Sequence, residues 1–343
     1  MKLLFTQESD FRRERDFGAK VSATFDFLSS QFRPFLKCLA YFTLPGALLM
    51  GIGLALFMGK AVGFYAALFS AARAGGAHAT AGVDPLALYR GWSGVGLALT
   101  ALGGIVTLVL LSATVYGYLR VRLHLPAAET VQPRQVWGWL RPRLGRMALA
   151  CLLLLGLWLG ALMGLSVVMS GVVAVAGAGW MFLFIFVLYA TVIWLAGCLA
   201  LYFPAMWLED LGPAQALSRC FYLVKGKWWS TFGLGLVMVV IQSVMSYLFA
   251  IPMYGLLMMD VLQLAKTGTG HDSSLLMQAA TLLYAGSAVL LLALPLLAMG
   301  FQYFNLAERR DSIGARQQLA LLGQAGPSEA ANHYYRPDEE GEY

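Results

Sequence analysis

The chain has 343 residues, of which 59% are hydrophobic and only 12% are charged, and its formal net charge is +6. Soluble domains are about 45–50% apolar and about 25% charged, so this composition excludes an ordinary soluble protein and indicates a membrane protein. The positive charge does not require nucleic acid as a partner, because anionic lipid headgroups also attract basic residues.

The charged residues are clustered, and they leave five long uncharged runs. A bilayer core about 30 Å thick needs about 20 apolar residues of helix. Four runs therefore hold one span each, while the third, with 62 residues, holds two spans separated near 176–179. We predict an all-α integral membrane fold with six transmembrane helices. The runs are Cys38 to Gly59, Gly91 to Leu119, Met147 to Leu208, Trp228 to Met259 and Ser273 to Ala307.

The basic residues predict the orientation of these spans. If the N-terminus is cytoplasmic, the segments on that side hold 20 of the 24 Lys and Arg residues, and the outer loops hold only Lys60, Arg73, Arg90 and Lys266. Cytoplasmic loops carry an excess of Lys and Arg, so both termini are expected to be cytoplasmic.

This orientation gives three predicted regions. They are a cytoplasmic N-terminal segment with an amphipathic helix (1–37), a six-helix transmembrane domain (38–304) and a cytoplasmic tail (305–343), disordered from about 323. The apolar stretch at residues 1–5 is too short for a cleavable signal peptide. The expected location is the bacterial cytoplasmic membrane.

Amphipathic stretches precede the first, third and fifth predicted spans. In each, apolar residues recur every three or four positions, as on one face of a helix. The pattern predicts three interfacial helices, and it also fits three pseudo-repeats of interfacial helix plus hairpin. The alternative is that any polytopic protein has amphipathic entries to its spans. The stripes are Phe17, Val21, Phe25, Leu28 and Phe32, then Val136, Trp137, Leu140 and Leu144, then Leu217, Cys220, Phe221, Val224 and Trp228.

The third stretch, GPAQALSRCFYLVKGKWWSTF at residues 212–232, is basic and ends in two tryptophans. Pro213 suits the first position of a helix, and Trp residues favour the membrane–water boundary. We expect this stretch and the one before the third span to contact anionic lipid headgroups or a protein partner. The candidate residues are Arg219, Lys225, Lys227, Trp228, Trp229, Arg141, Arg143 and Arg146.

Two acidic residues, Glu209 and Asp210, stand where the fourth span ends. If the following helix folds back, they lie near Arg219. We predict a structural ion pair among Glu209, Asp210 and Arg219 rather than catalysis, because acid–base chemistry also needs a pocket and a substrate.

The same segment resembles a known group of proteins. Its residues are Pro204-Ala205-Met206-Trp207-Leu208-Glu209, Gly212-Pro213-Ala214-Gln215-Ala216-Leu217-Ser218-Arg219 and Leu223-Val224-Lys225-Gly226-Lys227-Trp228-Trp229. They are similar to bacterial polytopic proteins related to the membrane domain of glycerophosphoryl diester phosphodiesterases. The segment 301–309, FQYFNLAER, resembles uncharacterised members from Bacteroidetes-like bacteria. The resemblance implies no phosphodiesterase activity, because the soluble catalytic barrel of those enzymes has no counterpart in this sequence.

No catalytic or metal-binding constellation is found in the sequence. The four histidines are far apart, the four cysteines show no CxxC spacing, and no phosphate-binding loop or nucleophile elbow occurs. We therefore expect no metal, no cofactor and no enzymatic activity.

The predicted spans contain neutral polar residues but no ionisable ones, which would mark an ion path. We expect these neutral residues to form helix–helix hydrogen bonds. The first functional hypothesis is a non-catalytic scaffold or subunit of a membrane complex, with an unidentified partner on the cytoplasmic face. The alternative is a transporter or a lipid or small-solute pathway, which Pro252 and Pro295 would favour by kinking two spans.

Overall fold

The computed structural model describes Phe5 and residues 8–75, 91–126, 129–176, 181–267, 274–312 and 316. Most of these residues are helical, and no strand occurs among them. A 3₁₀ turn, Arg141–Arg143, joins the fourth and fifth helices. The helices are α1 (Glu8–Phe11), α2 (Phe17–Gly75), α3 (Trp92–His124), α4 (Pro133–Leu140), α5 (Leu144–Ala176), α6 (Met181–Leu199), α7 (Tyr202–Leu208), α8 (Pro213–Val224), α9 (Trp228–Thr267), α10 (Ser274–Leu291) and α11 (Ala293–Asp311).

Six helical stretches of the described chain are long and apolar enough to cross a membrane. The all-α, six-helix prediction is confirmed at this level, and the chain has the architecture of a multi-pass membrane protein. The stretches are Phe17–Met58 in α2, Ser93–His124 in α3, Pro133–Val172 across α4 and α5, Ile185–Leu208 across α6 and α7, Trp228–Gln263 in α9, and Leu275–Asp311 across α10 and α11.

Helix α2 is one element of 59 residues. At 1.5 Å per residue it is about 88 Å long, far longer than a bilayer core of about 30 Å. It is kinked at Gln31, whose φ and ψ are −112° and 17°. The cause is Pro34, which has no N–H for the carbonyl of Ser30 and whose ring crowds that carbonyl. The kink separates the amphipathic entry from the membrane-spanning part.

The most extensive helix–helix contact is that of α2 with α3, and glycines make it close. A Cβ atom at Gly53 would lie 2.4 Å from the amide nitrogen of Thr100, and one at Gly103 would lie 2.4 Å from the amide nitrogen of Met50. Small residues allow helix backbones to approach in this way within a membrane. Any larger side chain at Gly53 or Gly103 would push the two helices apart.

One end of the bundle, which we call the charged end, is formed where five segments meet: residues 8–31, 118–126, 129–147, 205–231 and 301–312. Beneath it lies an aromatic cluster that includes Phe5, Phe11, Phe27 and Phe301, all fully buried. The ring centroids of Phe5 and Phe301 are 5.4 Å apart. The cluster anchors the N-terminal segment to α11, so this part of the predicted N-terminal region belongs to the core.

The hairpin of α5 and α6 stands apart from the rest of the bundle. No residue is buried in the most apolar 18-residue window of the third span. Met163 and Val167 on α5 are 67% and 68% exposed, and Phe186 on α6 is 69% exposed. The hairpin is held mainly by contacts with α3, α8 and α9 near the charged end.

The amphipathic stripe predicted at the start of α2 faces outwards. Phe17, Phe25 and Phe32 are exposed, whereas Lys20, which was placed off the stripe, is 2% exposed. The reason is that lipid tails are as apolar as a leucine side chain, so an apolar face can meet lipid while the opposite face packs on protein. In α8 the predicted face is divided, because Cys220 and Val224 are buried and Phe221 is exposed.

Two predicted spans are each made of two helices. The fourth is interrupted after Leu199, and the sixth is interrupted at Leu292. The second interruption follows from Pro295, which cannot donate an N–H to the carbonyl of Leu291. Pro252 lies within α9 and does not interrupt it.

Candidate functional site

Arg219 is the centre of an ion-pair cluster at the charged end. It lies 2.9 Å from Oε1 of Glu209 and also pairs with Asp311. The hydroxyl of Tyr303 donates to the same Glu209 oxygen at 2.7 Å. Burial alone would lower the pKa of Arg219, but the hydrogen bonds that Arg219 donates to Asp311 and Glu209 outweigh burial, and this pKa is raised. The cluster therefore ties α8 to the end of α11 with a permanently charged guanidinium.

Asp210 does not join that cluster, although it was predicted beside Arg219. Its carboxylate accepts hydrogen bonds from Arg143 at 3.0 Å and from Arg146. The hydrogen bond from Arg143 is the main reason why the pKa of Asp210 lies well below its ordinary value. Partial burial opposes this shift, whereas the hydrogen bond from Arg146 and the charges of both arginines add to it. Asp210 therefore connects the turn after α7 to the start of α5.

Lys20 of α2 donates to two neutral acceptors inside the protein. Its Nζ lies 2.8 Å from Oε1 of Gln302 and 2.9 Å from Oγ of Ser230. The amide of Gln302 in turn donates to Oγ1 of Thr231 at 2.9 Å. This chain of hydrogen bonds joins α2, α9 and α11. Sequence reasoning missed it, because the helical wheel placed Lys20 on the polar side and gave no indication that this side packs on protein.

Arg122 and Arg120 bind backbone carbonyl groups instead of carboxylates. The buried Arg122 donates to the carbonyl of Phe5 at 3.2 Å and to that of Glu129 at 2.6 Å. Arg120 donates to the carbonyl of Leu208. From the sequence, both residues contributed only to the predicted orientation. Every residue has a backbone carbonyl group, so a sequence pattern cannot show which carbonyl an arginine binds. They fasten the N-terminal segment and α7 to the end of α3.

The predicted headgroup-binding residues fall into two groups. Arg143, Arg146 and Arg219 are occupied in the ion pairs above. Trp228 stacks on Phe232 with a centroid distance of 4.9 Å and donates to the carbonyl of Trp194 at 3.0 Å. These four serve the structure of the protein itself. The remaining candidates, Arg141, Lys225, Lys227 and Trp229, are exposed.

A basic groove of about 1110 Å³ lies at the charged end between α2, α3 and the segment leading into α4. Lys37 and Arg134 contribute its two charged side chains. Phe42 and Trp137 form its apolar wall, with ring centroids 5.6 Å apart and an interplanar angle of 12°. None of the described residues that line it is acidic. The groove was not predicted from the sequence, because it forms only where the kinked α2 meets α4.

A second concavity, the apolar cleft, has a volume of about 630 Å³ and opens between the α5–α6 hairpin and helices α3, α9 and α11. Trp158, Phe203 and Phe232 line it together with aliphatic side chains. Thr231 also lines it and accepts the hydrogen bond from Gln302. The cleft therefore reaches the hydrogen-bond chain that contains Lys20.

The neutral polar residues of the spans bond mainly within their own helices, so the expectation of helix–helix hydrogen bonds was wrong for them. Thr100 donates to the carbonyl of Gly96, Ser112 to that of Leu108, and Gln242 to the hydroxyl of Ser246. Hydroxyl groups in helices often satisfy themselves in this way. The hydrogen bonds therefore outline no polar path through the described part of the bundle.

Helix α9 extends beyond the predicted end of its span at Met259 and carries Asp260, which is only 8% exposed. The fifth span as the structure defines it, Trp228–Gln263, thus includes an ionisable residue, contrary to the prediction. The uncharged run ended at Met259, and the sequence did not show that the helix continues.

Within the part of the chain that the structure describes, no three His, Cys, Asp or Glu residues come together as metal ligands. All four cysteines are free thiols. One of the four histidines, His271, and the tail predicted to be disordered from about 323 lie outside the described residues.

Comparison with known proteins gives one match. A family described as a domain of unknown function, DUF7847, matches residues 134–304, from α4 into α11. No curated protein and no solved structure matches the chain. The match carries no activity with it, and it does not link the chain to the phosphodiesterase-related proteins.

Proposed function

We propose that the chain is a non-catalytic subunit of a membrane complex and that it holds the transmembrane helix of a partner protein against α5. The proposal rests on one observation: among the described residues of α5 from Cys151 to Val172, none is buried, and only a few pack partly against the rest of the described protein. We further propose that the complex lies in the bacterial cytoplasmic membrane, with the charged end and both termini cytoplasmic.

The exposed part of α5 carries the residues that membrane helices use for contact. Gly156, Gly160 and Gly164 are spaced by four, so they share one face of the helix. A Cβ atom at any of the three would meet nothing within 4 Å. In α2 and α3 glycines serve a close contact, as Gly53 does at 2.4 Å from Thr100. Within the described part of the chain, no helix lies against these three glycines of α5.

The exposed residues of the charged end also favour contact with the partner protein at that end. Most of its charges neutralise each other, but Arg141, Lys225 and Lys227 remain exposed. Arg and Trp are enriched at protein interfaces, so the exposed Arg141 and Trp229 favour a partner at this end. The 20 to 4 division of Lys and Arg supports placing this end in the cytoplasm.

Two of the proposed three repeat units share a helix start. In α4 the amide of Gln132 donates to Oε1 of Gln135 at 2.9 Å, and in α8 the amide of Gly212 donates to Oε1 of Gln215 at 3.2 Å. Each helix begins with proline followed two residues later by glutamine. This shared cap supports an internal repeat. It also fits the proposed relation to the membrane domain of the phosphodiesterase group, because α8 lies in the segment of resemblance.

The subunit proposal can be tested with a photoreactive side chain. Benzoylphenylalanine at Gly160 of the full chain, expressed from its native locus, should form a discrete protein adduct on illumination. The matched control is the same residue at Val240 of α9, which is 53% exposed on another apolar helix. Replacing Gly156 by Leu should reduce the adduct at position 160, because the side chain would hold the partner helix away.

Equal adducts at positions 160 and 240 would contradict the proposal, since both positions would then meet only random neighbours. An adduct with the mass of two copies of this chain would identify a second copy as the partner and would contradict a hetero-complex.

A lipid or small-solute pathway is the second candidate, and the apolar cleft favours it. It predicts that the purified chain in liposomes moves a lipid or solute without any partner, and that Gln242→Leu or Ser243→Leu reduces the flux. Such activity would overturn the subunit proposal.

A further inference from the structure

The basic groove combines two positively charged side chains with an apolar surface. Lys37 stands on α2 and Arg134 in the first turn of α4. Among the described residues, neither side chain takes part in an ion pair or a hydrogen bond. By contrast, Arg143, Arg146 and Arg219 at the same end all have carboxylate partners. Within the described residues, the groove thus has two positive charges without a carboxylate partner.

The wall of the groove is suited to hydrocarbon. Trp137 lies flat on Phe42, which is 6% exposed, and Pro45 and Leu110 continue the apolar surface along α2 and α3. Lys37 precedes this surface by one to two helical turns along α2, so the charges lie towards the charged end and the apolar wall lies towards the bilayer. Tyr41 between them is 71% exposed. A molecule that fits must be anionic at one end and apolar at the other.

We propose that the basic groove binds one anionic phospholipid, with its phosphate at Lys37 and Arg134 and an acyl chain along Phe42, Pro45 and Leu110. A volume of about 1110 Å³ is large enough for a headgroup and part of its chains. A zwitterionic headgroup would bring a positive charge next to two cations with no carboxylate to receive it. A free phosphate would leave the apolar wall unused. The proposal is independent of the subunit proposal, which concerns α5.

The test uses the purified full chain in detergent and native mass spectrometry. Dioleoylphosphatidylglycerol should give a one-to-one complex in preference to dioleoylphosphatidylcholine. The double variant Lys37→Gln, Arg134→Gln should weaken binding of the phosphatidylglycerol by about thirtyfold, since each cation near an anionic headgroup contributes about 1 kcal/mol. The matched control, Arg13→Gln with Arg316→Gln, removes the same charge from exposed positions outside the groove and should change the affinity less than threefold.

Equal losses in the two double variants would overturn the proposal, because binding would then depend on diffuse surface charge. Competition by glycerol 3-phosphate at the same concentration as the lipid would also overturn it, because the site would then recognise phosphate alone.

A second measurement does not depend on the charge variants remaining folded. Benzoylphenylalanine at Tyr41, at the groove, should crosslink to phosphatidylglycerol more than to phosphatidylcholine in mixed vesicles. The same residue at Tyr189 of α6, which is 63% exposed but distant from the groove residues, should show no preference. A preference at Tyr189 equal to that at Tyr41 would contradict a specific site.

Discussion

Asp210 occupies a backbone conformation that most residues avoid, with φ of 58°. The left-handed region costs a residue with a Cβ atom about 1 kcal/mol or more, and Asp and Asn tolerate it best. Here the position follows α7, where the amide of Leu211 bonds to the carbonyl of Met206 at 3.1 Å and closes the helix. Asp210 therefore combines a helix stop with a carboxylate for Arg143 and Arg146.

Replacing Asp210 by Asn tests the charge separately from the backbone, because Asn also accepts the left-handed conformation. The folded pKa of Asp210 is lowered, so its stabilisation is complete above the unfolded value of about 3.9 and is lost as the pH falls through and below that value. We expect Asp210→Asn to lower the unfolding free energy at pH 7 by about 1 kcal/mol, a modest value because the carboxylate is partly exposed. Near pH 3 the difference should shrink.

The measurement is thermal unfolding in detergent micelles between pH 3 and pH 7. Asp26→Asn is the control, since it removes one carboxylate outside these ion pairs and should change the midpoint little. A difference between wild type and Asp210→Asn that stays constant over this range would show that the ion pairs contribute nothing measurable.

At the scale of elements, glycine distinguishes a helix face that is in contact from one that is open. A Cβ at Gly103 of α3 would meet the backbone of α2, whereas a Cβ at Gly156 of α5 would meet nothing. Gly103→Ala should therefore destabilise the fold by about 1–3 kcal/mol through overpacking. Gly156→Ala should be neutral or stabilise the fold by up to about 1 kcal/mol, because alanine stabilises an exposed helix more than glycine does.

Thermal unfolding of the purified full chain without its partner provides the comparison of Gly103→Ala with Gly156→Ala. The essential result is that the two substitutions change the unfolding free energy in opposite directions. Equal destabilisation by the two substitutions would mean that α5 packs against the bundle more closely than the structure shows, and the case for a partner at α5 would be lost.

The number of membrane-spanning helices and the ends of several helices could be predicted from the sequence. The reason is that hydropathy and proline determine the structure of the residues next to them. The run from Trp228 defines the start of α9, and Pro133 and Pro213 define the starts of α4 and α8. The packing could not be predicted in the same way. In a membrane both faces of a helix can be apolar, so the pattern does not show which face meets protein. Lys20 illustrates the difficulty, since a polar residue on the less apolar face is buried against Gln302.

The ion pair of Arg219 could be predicted from the sequence because its two residues are close along the chain. An acidic pair followed by a basic residue ten positions later predicts an ion pair, and Arg219 does lie 2.9 Å from Glu209. The partners of Asp210 come from Arg143 and Arg146, more than sixty residues earlier in the chain, and only the tertiary fold brings them together. The basic groove is equally non-local, because Lys37 and Arg134 stand on different elements.

At the scale of the whole molecule, the ion pairs of the described residues lie at one end of the bundle. The ion pairs and the arginine–carbonyl contacts join α3, α5, α7, α8 and α11 at the charged end. The α5–α6 hairpin projects from that end with apolar surfaces exposed. This arrangement fits the proposed subunit, which would be held rigid at the charged end and would bind a partner helix through the hairpin within the bilayer.

The proposed orientation of the whole molecule gives the last prediction. Because 20 of 24 basic residues belong to one side, that side should be the cytoplasm. In a background lacking the four native cysteines, single cysteines at Ala77 and Gly268 should react with a membrane-impermeant thiol reagent in intact cells, and those at Gln132 and Ser328 should react only after lysis. Each variant serves as the control for the others, because all four must react in lysed cells for the comparison to count. Labelling of Gln132 and Ser328 in intact cells, with protection of Ala77 and Gly268, would place the charged end outside. The partner of the proposed complex would then have to be sought on the outer face of the membrane.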